Sequence, residues 1–347
     1  MALPRNGYAL VLDGSSGTDE KALEHDLANA ASMHRSPRMR EADETDAVQG
    51  TVHWAPVKSL WWFVMTAGAL VGAPLTFSWT ALIAFLGLTG ATICLGHSIG
   101  MHRRLIHRSF ECPLWLEYFL VYCGVLVGMA GPFGIIRQHD IRDWAQRKSA
   151  CHSYLAHRNP FLLDGWWQLH CALALVHPPY LTIEKRVRED RLYRFLEATV
   201  MAQQLPLALV LFWLGGWSFV FWGICLRVFL SLTGHWLIGY FAHNQGPRSF
   251  LVQGAGVQGY NVPKAGFVSM GEAWHNNHHA FPASARLGLH EGEVDIGWQV
   301  LVLLQRFGLV WDVKTPESLP HRAALVRISD ENPVPTGTIN AVEGASS

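Results

Sequence analysis

Half of the 347 residues are hydrophobic and only 16% are charged, and 27 basic side chains cancel 27 acidic ones. A soluble domain carries about a quarter of its residues charged, so this balance points to a membrane protein. Zero net charge offers no field for a nucleic-acid partner, and six cysteines without a C-x-x-C pair read as free thiols rather than a disulfide scaffold.

Residues 1–55 are polar and mixed in charge, with no positively charged start leading into an apolar core, so no signal peptide is expected. They read as a disordered cytoplasmic arm with a short helix around Asp19 to Met33. Residues 59–96 contain no charged side chain, too long a run for one crossing and enough for two of roughly 18 to 20 residues. Pro74 marks the turn, giving spans over 59–76 and 79–97, with Trp61, Trp62 and Trp79 at the interfaces. Beyond them His102 and His107 flank Arg103 and Arg104, with Arg108 next, so a basic rim carries two candidate ligands. Five residues apart, these two histidines diverge by about 140° on a regular helix. They share a site only if metals lie between them or the helix end unwinds. His97 reads as a packed membrane histidine.

The apolar run over 114–136 is long enough to cross a bilayer, but Glu117 and the break Gly128-Met129-Ala130-Gly131-Pro132 argue for a helix in the interface. A basic, histidine-rich stretch follows with His139, His152 and His157, and the charges over 184–191 read as a solvated, positive-inside face. A second apolar block gives spans over 199–214 and 217–240, turning at Gly215-Gly216. Arg227 and His235 interrupt it; the arginine reads as internally hydrogen-bonded, and His235 lies near the end that faces the other histidines. A glycine-rich stretch precedes Gly271-Glu272-Ala273-Trp274-His275-Asn276-Asn277-His278-His279-Ala280-Phe281-Pro282, and residues 321–347 form a polar tail.

On a helix His275, His278 and His279 occupy i, i+3 and i+4 and leave one face together. The bland alternative is a hydrogen-bonded polar turn. Three stacked imidazoles, each with a nitrogen needing a partner, favour a metal. Imidazoles without thiolates suit iron or zinc, and more than four histidines in one place argue for two ions.

The order of these features resembles the membrane fatty acyl desaturases, the bacterial acyl-CoA Δ9 type above all, over roughly residues 56–320. His102, His107, Arg108, Ser109 and Phe110 match the first histidine box of that family. Gly271-Glu272, Trp274-His275-Asn276-Asn277-His278-His279 and Phe281-Pro282 match the third. His235 matches an isolated histidine after the fourth span, and Asp295 with Trp311-Asp312 the end of the catalytic domain. The family's second box is Trp, three residues, then His-Arg-x-His-His. Here Trp144 leads to Lys148-Ser149-Ala150-Cys151-His152, where only His152 is retained, and Ser231 stands for the asparagine four residues before the lone histidine.

The resemblance implies an all-α integral membrane fold, with four transmembrane helices in two hairpins below a cytosolic helical cap that holds two metals. It implies His102, His107, His152, His235, His275, His278 and His279 as ligands. His139 or His157 stand in where the second box departs, and Glu272, Asn276 and Asn277 orient the ligand imidazoles. The implied cofactors are two non-haem irons, with O2 as co-substrate. The implied partners are a fatty acyl chain on CoA, acyl carrier protein or lipid, and an external electron donor such as ferredoxin or a cytochrome. The expected location is a bacterial cytoplasmic membrane, with both termini and the metal site on the cytoplasmic side. Two alternatives stay open: a related diiron hydroxylase or oxygenase, and a catalytically impaired homologue that keeps a structural metal.

Overall fold

The computed structural model describes residues 17–28 and 37–328. The polar tail beyond, and most of residues 1–36, lie outside the described residues, as does the end of the helix expected around Asp19 to Met33; its start is found as Gly17–Ala28.

The fold is mostly helical, and its apolar runs organise it. Pro56 at the first helical position fits an orphan N–H site, and the helix runs from Pro56–Ala67 through a wide π turn, Gly68–Gly72, to Ala73–Leu75. After a short link capped by Ser78, whose hydroxyl accepts from Ala81 N, the chain reverses into Trp79–Ile106. The second reversal is at Gly215 and Gly216 inside Gln204–Asn244; Gly216 has φ +63°, which glycine adopts without a Cβ penalty. The two turns meet: Ser218 donates to Thr76 O at 2.5 Å, and Trp222 Nε1 donates to Ala73 O at 2.8 Å. Trp79–Ile106 and Gln204–Asn244 are each long and apolar enough to cross a membrane. Arg227 is fully buried within the second, and its guanidinium donates to Gly223 O, Leu126 O and Gln204 Oε1.

Towards its C-terminal end Trp79–Ile106 leaves the lipid-like pattern. Arg103 and Arg104, expected on a basic rim, are buried in ion pairs with Glu272, Asp295 and Glu117. Leu114–Val125 packs alongside, close enough that Gly96 and Gly100 leave no room for a side chain against Cys123 and Leu120. The main core gathers around Pro132–Gln146, where Ile136, Ile141 and Trp144 are buried with Leu173 and Leu181.

Met39 and Ala47 are buried in that core, and Val52 packs against it. Met39–Arg40 pairs antiparallel with Tyr180–Leu181, and Gly50–Trp54 with Cys171–Leu175. Phe250–Val252 pairs with Leu325–Arg327, so three two-stranded ribbons pin both ends of the described chain onto a helical body.

Candidate metal centre

Three helices deliver one group of imidazoles. The stretch Thr92–Ile106 is wound as a π-helix, in which each N–H reaches back five residues. His107 N accordingly donates to His102 O at 3.1 Å. The wider turn brings the fifth residue round beneath the first, and the two rings lie 4.7 Å apart rather than on diverging faces. Pro132–Gln146 adds His139, and the short helix His275–Ala280 adds His278. His102 Nε2 is 3.3 Å from His278 Nε2, and His107 Nε2 is 3.2 Å from His139 Nε2. One ligand atom from each of the four lies within 4.8 Å of every other.

His243, His275 and His279 form a second group to the same criterion. His275 Nε2 is 3.1 Å from His243 Nε2 and 2.9 Å from His279 Nε2. His278 links the groups, its ring 5.8 Å from that of His275.

The outer nitrogens explain why the inner ones converge. Glu272 Oε2 lies 2.6 Å from His102 Nδ1, Asp140 Oδ1 3.0 Å from His139 Nδ1, and Gly239 O 2.7 Å from His243 Nδ1. An imidazole that donates Nδ1–H to oxygen turns its Nε2 lone pair inward, the tautomer a metal takes. Burial pushes His275, His278 and His279 well below the ordinary histidine range, with neighbouring imidazoles adding to it; His107 shifts the same way, by burial and then His139. Burial alone would raise the Glu272 carboxyl. The adjacent His102 and Arg103 outweigh it and hold that carboxyl below its usual range. Seven convergent imidazoles, with carboxylates behind two of them, fit two divalent ions of the imidazole-binding class.

The expected residues distribute unevenly. His102, His107, His275, His278 and His279 come together, with His139 beside them. His152 belongs to neither group: its Nδ1 accepts from Tyr154 N at 3.1 Å and caps a one-turn helix. His235 also stands apart, lower on its helix, its ring 5.2 Å from His97. His157 stacks on His243 at 5.3 Å, but its Nδ1 faces Asp164 and its Nε2 meets the Arg142 guanidinium. Glu272 touches His102, whereas among the described residues the side chains of Asn276 and Asn277 hydrogen-bond to groups other than imidazoles. Asn276 accepts from Ser249 N and Phe250 N and donates to Phe250 O and Gly259 O; Asn277 donates to Leu287 O and Glu293. They fix the loops on either side of the histidine helix.

Two features escape the sequence reading. One is His243, at the end of an apolar helix two turns beyond His235. The other is that His139 joins the first group from a stretch with the spacing of the second box. His139, Arg142 and Asp143 stand at i, i+3 and i+4 on the buried helix Pro132–Gln146, the spacing of His-Arg-x-His-His, upstream of Lys148 to His152. Arg142 and Asp143 stand at the spacing of two histidines of that pattern, and the i, i+3, i+4 spacing is the signal available in the sequence.

No protein-family model matches the chain. It is 37% identical over 271 residues to the sn-1 stearoyl-lipid 9-desaturase of Anabaena variabilis, covering 76% of this chain and 94% of that protein. It is 36% identical to Delta-9 acyl-lipid desaturase 2 of Arabidopsis thaliana, over 74% of this chain and 82% of the relative. Acyl-CoA 5-desaturase AL21 of Anemone leveillei is 31% identical, over 73% and 77%. Similarity at this level along most of both lengths, joined to a histidine-built site, places this chain in the fatty acyl desaturase family.

Proposed function

We propose that the chain is an O2-dependent membrane desaturase that forms a cis double bond in a fatty acyl chain at two non-haem irons. The observation that carries this reading is the pair of adjacent imidazole groups joined by His278. His102, His107, His139 and His278 would hold one ion and His243, His275 and His279 the other. Seven imidazoles exceed what a single ion takes. When bound, the two irons supply an oxidant that no side chain provides: two adjacent methylene hydrogens, two electrons and two further protons go with O2 to two waters.

The chain's own residues do the rest. Burial favours the uncharged form of His107, His275, His278 and His279. Glu272 and Asp140 fix His102 and His139 by their outer nitrogens, and Arg103, clamped by Glu272 and Asp295, fixes Glu272. Asp295 in turn accepts from Trp298 N, Leu287 N and Gly288 N, which ties the loop after the third box to the same clamp. The apolar hairpins are read as four crossings in two pairs, with both termini and the metals on the cytoplasmic side. This is supported by basic clusters over 103–108 and 185–194 and uncharged turns at the opposite end. The names of the relatives point to an acyl chain on a lipid or on coenzyme A. An external donor supplies the electrons.

Expression of the wild type and His278→Ala in a host without its own desaturase, followed by chromatography of acyl methyl esters, tests this. A new monoenoic chain with the wild type alone is expected; a hydroxylated product, or the same monoene from both, overturns it.

A further inference from the structure

The segment before the first apolar helix carries Arg38, a guanidinium only 1% exposed. The strand pairing of Met39–Arg40 with Tyr180–Leu181, and Thr182 N donating to Arg38 O at 2.9 Å, set its position. Its side chain makes five hydrogen bonds. Two go to Glu184, at 3.0 Å from Nε and 2.7 Å from Nη2. One goes from Nη1 to Asp140 Oδ2 at 3.1 Å. The last two go to Ile106 O at 3.0 Å and Leu105 O at 3.3 Å, the carbonyls that end the π-helix just before His107. The other oxygen of Asp140 faces His139 Nδ1. Arg38 and Pro37 also line a cavity of about 30 Å³ with His107, His139 and Asp143.

We propose that Arg38 is a positioning residue for the four-histidine site, acting through Asp140 on His139 and through two backbone carbonyls on the turn that carries His107. The inference rests on the metal reading above. A carboxylate behind a ligand imidazole sets its tautomer and basicity, and an arginine fork fixes a carboxylate in direction as well as charge. Lysine, with one point of charge, cannot reach two carboxylates and two carbonyls together. Arg38 thus mirrors Arg103, which clamps Glu272 behind His102. Both arginines brace one group of imidazoles. The three-histidine group has a backbone carbonyl, Gly239 O, in the corresponding place behind His243.

The test is cobalt(II) titration of the metal-free, detergent-solubilised full chain, followed by the visible d–d spectrum and by ions bound per chain. The wild type is expected to take two ions. Asp140→Ala keeps the Arg38–Glu184 pair, and should weaken one of the two about tenfold while the other binds unchanged. Arg38→Met, which also frees Ile106 O and Leu105 O, should weaken the same ion at least as much, and the double variant should lose less than the product of the two effects, because the Asp140 contact is common to both. If Asp140→Ala binds both ions as the wild type does, or if the double variant loses the product of the two effects, the inference is overturned while the metal reading stands. A wild type that takes no cobalt overturns the metal reading, and this inference with it.

Discussion

The two groups of histidines lie side by side, yet the chain holds them by different means. Behind the four-histidine group stand Glu272 and Asp140, each gripped by a buried arginine, so two of its imidazoles are oriented through charge. In the three-histidine group the contact behind His243 is neutral, Gly239 O against Nδ1, and Gln146 Oε1 lies 3.1 Å from its Nε2, the nitrogen that faces the other imidazoles. Charge-assisted hydrogen bonds hold direction more firmly than neutral ones. The helix Pro132–Gln146 sharpens the contrast, since it gives the first group His139 but has Arg142 and Asp143 where the pattern has two more histidines. The difference teaches that ligand count alone does not rank two sites. The first is richer in imidazole and more rigidly braced, and so should be the tighter.

Removing a ligand is the largest way to break this comparison. His243→Ala takes one of only three imidazoles from the second group and touches none of the first. Metal analysis of the purified variant should find about one ion where the wild type has two, with desaturation falling by more than about 100-fold, the upper end of what outer partners cost. Retention of two ions would show that His243 is a packing residue.

Smaller effects should follow from the outer contacts. Glu272→Gln removes the charge behind His102 and one of the two carboxylates on Arg103, and is expected to weaken the first ion by about 10-fold to 100-fold. The second ion should be unaffected. Equal weakening of both would erase the distinction drawn between the groups.

Acidification gives a graded test. Burial holds the folded-state values of His107, His275, His278 and His279 below the ordinary 6.5, so below that pH the unfolded chain binds more protons than the folded one. Their neutral-state contribution is complete above pH 6.5 and is lost as pH falls from 6.5 towards the depressed values. Each uncharged buried histidine then costs about 1.4 kcal/mol per pH unit. Thermal unfolding of the metal-free protein should therefore drop between pH 7.5 and 5.5, and bound metal should offset the drop by competing with protons. A midpoint independent of pH would mean these rings take up protons in the fold as readily as in the unfolded chain.

How much of this was legible in the sequence depends on how local each signal is. The third box reads itself, because i, i+3, i+4 on one short helix is a local pattern. The apolar runs and their turns at Pro74 and Gly215-Gly216 are equally local, and chain reversals stand near both. The partnership of His102 and His107 was stated only conditionally. Nothing in the residues announces fifteen residues of π-helix, which depends on packing against Leu114–Val125. His139 reads only as a substitute because Trp144 anchors the pattern downstream, and arginine and aspartate stand at the other two positions of the i, i+3, i+4 spacing on Pro132–Gln146. The order in residues 37–54 was invisible for a different reason: its strands pair with residues more than a hundred positions away, and a polar composition carries no mark of that.

The smallest expected effect separates placement from resemblance. His152 was read as a ligand, yet its Nδ1 accepts from Tyr154 N at the start of Ser153–Ala156, and its neighbours are Ala47 and the Trp167 ring. Its work there is that of a helix cap, whose loss costs about 1 kcal/mol. His152→Ala should lower the thermal midpoint slightly, keep two ions per chain and leave the desaturated product in place. Cobalt titration alongside His139→Ala decides between the two placements of the second box. If the first ion weakens with His139→Ala and not with His152→Ala, the box lies on Pro132–Gln146. If the dependence is reversed, the chain must rearrange around the metal, and the contrast between the two groups would have to be drawn afresh.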